Sequence, residues 1–246
     1  MTALVLQARL DSSRLSQKSL LPLGGKPLIL RVMEAFHFYE TIGMYELSGS
    51  PWDVKILACP IESVSSFALL AEQAGFIIIP GPNDDVLGRY CNAIRYSGAE
   101  RIIRATGDNP FVFADAAVAL NDEAQALGAD YAAYSGLPYG AGIESVASEA
   151  LLRAEREAQE PPEREHVCPY LYGHPEIFHL HRPLTPREWQ GTDLRITVDT
   201  QEDYEKAVAL YEQLSSLPAG RRSLGENIIA AARQILKKDA LPVPMP

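Results

Sequence analysis

With 246 residues, of which 47% are hydrophobic and 22% charged, the chain can bury one sizeable core and has the composition of an ordinary globular protein. A net charge of −10 and a pI near 5.0 argue against a nucleic-acid partner, whose footprint is a basic stripe along one face. Cys59, Cys91 and Cys168 lie far apart without CxxC spacing, which argues against a disulfide frame or a zinc site. No basic leader with an apolar core and no 18-residue apolar run is present, so the expectation is a cytoplasmic protein that is neither exported nor membrane-spanning.

In chain order, residues 3–6 form an apolar strand that runs into Gln7-Ala8-Arg9, and a basic loop follows as far as Gly24-Gly25. Residues 54–59 read as a second strand closed by Pro60, 62–75 as an amphipathic helix, and 76–79 as a strand ended by Pro80-Gly81-Pro82. Asp84 or Asp85 caps a helix running to Ser97, 101–104 is a strand, and Thr106-Gly107-Asp108-Asn109-Pro110 is its turn. Residues 115–127 form a helix stopped by Gly128, and 130–134 a strand. Strands separated by helices of this length predict βαβ units and a mostly parallel sheet.

The second half is less regular. A helix over 148–158 is expected with Ser148 as its cap, and Pro161-Pro162 opens another from Glu163. Residues 177–180 and 194–198 read as strands, 202–214 and 226–237 as helices. The last of these either covers the sheet or pairs with a second copy, which leaves a homodimer open. Residues 1–238 read as one domain and 239–246, rich in proline, as a flexible tail.

Two groups of residues carry chemistry. Residues 1–33 hold five Lys/Arg (Arg9, Arg14, Lys18, Lys26, Arg31) against one acid, Asp11, so an acidic protein gathers positive charge after its first strand. In open α/β sheets ligands bind beyond the carboxyl ends of the strands, and Lys/Arg beside turn amides suit phosphates, so a nucleoside triphosphate is the natural ligand. The plainer alternative is a solvated basic face. Asp108, in the turn after a strand, and Asp199, at the end of 194–198, can converge on one sheet edge and hold Mg²⁺ with phosphate oxygens. The plainer alternatives are a turn former and a helix cap. His179-x-His181 lacks a further ligand at metal spacing.

The chain resembles the cytidylyltransferases, the family of CMP-sialic acid and CMP-KDO synthetases, and within it the branch of spore coat polysaccharide biosynthesis protein F. The resemblance rests on Gln7-Ala8-Arg9, Ser12, Arg14-Leu15, Lys18 and the 21–27 run, on Asp84-Asp85-Val86-Leu87 with Arg89-Tyr90, and on Arg104 with the 106–110 turn. Arg164-Glu165-His166-Val167 with Pro169-Tyr170, and Leu194-Arg195 with Thr197-Val198-Asp199-Thr200, complete it. It implies a Rossmann-like nucleotidyltransferase fold, a three-layer α/β/α sandwich with a mostly parallel sheet. The activity it implies is Mg²⁺-dependent transfer of CMP from CTP to a sugar or sugar acid, with release of pyrophosphate, for surface-glycan synthesis.

On the same resemblance Arg9, Arg14 and Lys18 hold the triphosphate, with Arg14, Lys18 and Asp108 as the catalytic set and Asp108 and Asp199 as metal ligands. Ala8, Ser12 and Arg89 complete the nucleotide site, while Glu144, Arg164 and His166 face the sugar acceptor. The family usually has glycine at the position of Asp11 and Pro-Gly at Ser16-Gln17, which narrows the backbone choices of this loop. Two further readings stand beside the transferase: a glycosyltransferase using a nucleotide sugar, and a non-catalytic homologue whose phosphate loop has degenerated.

Overall fold

The computed structural model describes residues 1–11, 14–41 and 50–239. Strand β1 (Thr2–Gln7) is apolar and buried from Ala3 to Leu6, as a central parallel strand covered on both faces requires. The loop after it contains one 3₁₀ turn, Lys18–Leu20, and a short ribbon of β2 (Pro22–Leu23) and β3 (Lys26–Pro27). Helix α1 (Leu28–Thr41), absent from the expectations above, follows. Then β4 (Val54–Pro60), α2 (Val64–Gln73), β5 (Ile77–Gly81), α3 (Val86–Ser97) and β6 (Arg101–Thr106) alternate as expected, each bound within two residues of its expected place.

The remaining elements are α4 (Ala114–Leu127), β7 (Tyr131–Ala133), β8 (Glu144–Ala147), α5 (Ser148–Glu157), α6 (Pro161–His166), α7 (Pro169–Gly173), β9 (Leu180–His181), α8 (Gln201–Leu214) and α9 (Gly225–Asp239). The seven-stranded sheet runs β5-β4-β1-β6-β8-β7-β9, and β8 alone is antiparallel to its neighbours. Alternation along β1 sends Leu4 and Leu6 to one core, with α1, α2, α4, α8 and α9, and Ala3 and Val5 to a second, with α3, α5 and α7. This is the three-layer α/β/α sandwich with a mostly parallel sheet. No helix among the described residues is long and apolar enough to cross a membrane.

Several local expectations are corrected. Residues 194–198 form no strand: they are extended, but among the described residues their ladder contact is a single bridge, Tyr139 to Arg195. The strand expected at 177–180 is replaced by β9, which shares only Leu180 with it, and β8 is too short for its alternation to be readable in the sequence. Ser148 is not a cap. Ala147 holds that position, and the Ser148 hydroxyl donates to the carbonyl of Ala99 at 2.6 Å. On α9, Ile228, Ile229, Ala231 and Ala232 are buried in the same core as Leu210 and Leu214 of α8, so that face packs within the chain.

Candidate functional site

The chain leaves β1 for β4 on one side and, after β5, returns through α3 to β6 on the other. The order therefore reverses between β1 and β6, and the carboxyl ends of those two strands open a crevice. A cleft of about 190 Å³ lies there, lined after β1 by Gln7, Ala8 and Arg9 and after β6 by Thr106, Gly107 and Asp108. Arg14, Lys18, Val86, Arg89, Glu165, His166 and Asp199 also face it. The two strand ends are tied by a bond from Gly107 N–H to the Gln7 carbonyl at 2.7 Å. Only glycine fits at 107, because a Cβ would stand 2.6 Å from Ile29 Cδ1 and 2.9 Å from Ala8 Cβ.

At one end of the cleft three cations meet two carboxylates. The Lys18 ammonium, only 12% exposed, donates to Asp108 Oδ2 at 2.8 Å, to Asp199 Oδ1 at 3.1 Å and to the Val198 carbonyl at 3.1 Å. Arg14 Nη2 donates to the same Asp199 oxygen at 3.0 Å, and Arg195 Nη2 to Asp199 Oδ2 at 3.0 Å. Burial alone would raise the Asp199 pKa, but Lys18, Arg14 and Arg195 outweigh it and hold the carboxyl below its ordinary 3.8. A bond from Val198 N–H to the Asp108 carbonyl at 3.0 Å brings the two acid-bearing segments together.

Asp199 does not cap α8. Thr200 does, in a reciprocal box with Asp203, whose Oδ2 also accepts from the amide of Asp199 at 3.0 Å. Arg195 grips Asp203 through Nε and Nη2 at 2.9 and 3.0 Å, a two-point contact that keeps Asp203 at about 2. Arg195 was not among the expected site residues, although it is the residue that fastens Asp199 from behind. Its signals in the sequence were its place in the 194–200 motif and the four-residue spacing to Asp199.

The basic loop makes a tight turn without glycine at 17. Gln17 occupies the left-handed region (φ 49°, ψ 32°), and its carbonyl accepts from Leu20 N–H at 2.8 Å, opening the Lys18–Leu20 turn. Asp11 is exposed and does not line the cleft. Arg9 is exposed on the cleft wall, and its carbonyl accepts from the Ser19 hydroxyl at 3.0 Å. Ser12 lies outside the described residues.

Arg89 is 1% exposed; its Nη1 donates to the carbonyls of Pro82 and Asn83 at 2.8 and 3.2 Å, and burial lowers its pKa. Its Nε has no partner among the described residues. Two expected acceptor contacts are placed elsewhere. Arg164 points away from the cleft, to Asp85 Oδ2 at 2.5 Å and the Glu155 carbonyl at 2.8 Å, so it joins α6 to the cap of α3. Glu144 lies beside the cleft rather than on it, ion-paired with Arg104 and accepting from Tyr131 at 2.7 Å.

His166 does reach the cleft, from the last residue of α6 and not from its start. The next residue, Val167, is fully buried with φ 74° and ψ −56°, and Cys168 N–H bonds the His166 carbonyl at 2.9 Å. This is the strained form of the γ-turn, costing about 1–3 kcal/mol, and it sets the exit of α6 beside the cleft.

The strand order, with its crevice between β1 and β6, is that of a Rossmann-like α/β fold. The model of the family described as Cytidylyltransferase matches residues 3–224. The chain belongs to the cytidylyltransferase family and is a nucleotidyltransferase enzyme. The spore coat polysaccharide biosynthesis protein SpsF of Bacillus subtilis (strain 168) is 29% identical over 215 residues, 87% of this chain and 88% of that protein. Among solved structures, a cytidylyltransferase from Leptospira borgpetersenii shares the fold with a TM-score of 0.80 and 20% identity over 99% of both chains. A CMP:2-keto-3-deoxy-manno-octonic acid synthetase in complex with CTP shares it with a TM-score of 0.64 and 19% identity, over 86% of this chain and 98% of that one.

Proposed function

We propose that this enzyme transfers CMP from CTP to the oxygen of a sugar or sugar acid, releasing pyrophosphate, and that it does so in the cytoplasm for the synthesis of a surface glycan. The observation that carries this reading is the Lys18 ammonium held between Asp108 and Asp199 at the switch point of the sheet. One reading of a relative supports the glycan assignment, namely the name of the Bacillus subtilis protein.

In this reading Arg9, Arg14 and Lys18 bind the triphosphate, and Lys18 offsets charge on the departing pyrophosphate. The acceptor oxygen attacks the α-phosphorus in line, forming a P–O bond as the α–β anhydride bond breaks. Such a transfer needs positioning and charge compensation more than covalent help from the protein. Ala8 and Arg89 border the nucleotide, and His166 faces the acceptor.

Asp108 and Asp199 would hold a divalent ion, Mg²⁺ in our reading. The donor types fit, because Mg²⁺ takes oxygen ligands and one oxygen of each carboxylate converges on Lys18 Nζ, so an ion held there would displace the ammonium toward the triphosphate. When bound, the ion supplies charge neutralisation at phosphate oxygens. The left-handed turn retained at Gln17 and the outward placement of Asp11 favour a working loop over a degenerate one.

Calorimetric titration of CTP, UTP, ATP and GTP, each with and without Mg²⁺, tests the reading. Selective CTP binding strengthened by Mg²⁺, followed by pyrophosphate release with an acceptor, is expected. No triphosphate binding at millimolar concentration overturns it. Turnover of an intact nucleotide sugar without CTP favours the glycosyltransferase.

A further inference from the structure

Gln7 ends β1 at the mouth of the cleft, and strand alternation turns its side chain to the α3 side of the sheet, with Ala3 and Val5. There Arg104 Nη2 donates to Gln7 Oε1 at 3.1 Å. Arginine has only donors, so whichever way the amide is drawn, its oxygen must face Arg104 and its NH₂ must face away. That NH₂ has no partner among the described residues, and Gln7 lines the cleft.

Arg104 is itself immobilised. It forms an ion pair with Glu144, and its guanidinium lies 5.6 Å from the ring centre of Tyr90, a residue buried with its hydroxyl 3.2 Å from the Ala105 carbonyl. Glu144 is held in turn by the Tyr131 hydroxyl at 2.7 Å and the Cys168 thiol at 3.6 Å. Burial works against charge on Arg104, but Glu144 outweighs it and keeps the guanidinium protonated. Glu144, Arg104 and Gln7 are therefore a chain of donors and acceptors that leaves the Gln7 NH₂ free of Arg104, on a residue that lines the cleft.

We propose that Gln7 is a one-way hydrogen-bond donor to the nucleoside part of the bound nucleotide, and that Arg104 and Glu144 are positioning residues that fix its direction. The proposal rests on the nucleotidyl-transfer reading above. The cations and carboxylates of Arg14, Lys18, Asp108 and Asp199 mark the phosphate end of the cleft. Gln7 is turned instead to the α3 side of the sheet, and α3 carries Val86 and Arg89, whose guanidinium is already engaged by the Pro82 and Asn83 carbonyls. A neutral donor there suits a neutral acceptor, a pyrimidine carbonyl or a ribose oxygen, and offers nothing to a group that can only donate.

The test is calorimetric titration of CTP with Mg²⁺ into the wild type, Gln7→Met, Gln7→Glu, Arg104→Gln and the Gln7→Met/Arg104→Gln pair, with a melting curve for each. Gln7→Glu keeps an acceptor for Arg104 but removes the donor, and its added negative charge opposes the triphosphate in either role, so Gln7→Met is the deciding variant. A donor role predicts that Gln7→Met weakens CTP about fivefold and Gln7→Glu at least as much, with melting temperatures near wild type. Arg104→Gln frees the amide to turn, so it weakens CTP in the wild-type background and adds nothing to Gln7→Met. If Arg104→Gln does not fold, Gln7→Met decides alone. Wild-type CTP affinity in Gln7→Met, whatever Gln7→Glu does, overturns the proposal. A wild type that binds no CTP overturns the parent reading, and this one with it, before any variant is compared.

Discussion

Lys18 and Asp199 are 181 positions apart in the chain, yet the ammonium of one lies 3.1 Å from a carboxylate oxygen of the other. The same ammonium reaches Asp108, so Lys18→Met leaves two neighbouring carboxylates with no cation between them. We expect kcat/KM to fall at least about 100-fold, the scale of losing one charge-stabilising group in an active site. Pyrophosphate release measures it, and near-wild-type turnover would remove Lys18 from the chemistry.

The two acids should separate by stability. Asp108 is 32% exposed on its side chain, so Asp108→Ala is expected to lose turnover while the melting temperature moves little. Asp199 is 7% exposed and is the common partner of Lys18, Arg14 and Arg195, so Asp199→Ala leaves three cations crowded and costs about 1–3 kcal/mol as well. Full activity in either variant would sink their assignment as metal ligands.

Asp203 gives a pH signature. Its folded pKa of about 2 lies below its ordinary 3.8, because Arg195 binds the charged form. The stabilisation is therefore fully present above about pH 4 and is lost as the pH falls through 2, and it is worth on the order of 2 kcal/mol. Urea unfolding of the wild type and Asp203→Asn should differ at pH 7 and converge near pH 2. A gap that stays constant with pH would place the effect elsewhere.

Arg164 and His166 offer a contrast within one short helix. Arg164→Ala removes the ties to Asp85 and Glu155 and is expected to cost about 1 kcal/mol while changing CTP affinity less than twofold. His166→Ala, on the cleft wall, should leave stability nearly unchanged and lower turnover with acceptor. The reverse pattern would restore Arg164 to the site.

Gly140 tests how Asp199 is carried. It adopts φ 103°, and a Cβ there would stand 2.4 Å from Thr197 N, a backbone atom with no room to yield. Gly140→Ala is expected to cost about 3 kcal/mol or more in urea unfolding, since both the angle and the space are denied.

The strands of the first half were legible because central parallel strands carry apolar, β-branched-rich runs: 3–6 is wholly apolar, 54–59 is interrupted only by Lys55, and Ile102-Ile103 stand between Arg101 and Arg104. The basic loop and the acids at 108 and 199 were legible too, since charge and turn chemistry are local properties of the chain. What local pattern could not supply was company. Residues 194–198 have the composition of a strand but no neighbour to pair with beyond one bridge to Tyr139. Glu165 and Arg164 are adjacent in sequence, yet one helix step of roughly 100° puts the first on the cleft and the second on Asp85. Sequence alone determined that this chain builds a mostly parallel sheet with positive charge gathered after its first strand. The tertiary fold decided that Lys18, Asp108 and Asp199 share one point, and that Gln7 is aimed by Arg104, because only the reversal of strand order between β1 and β6 brings those distant segments within hydrogen-bonding reach.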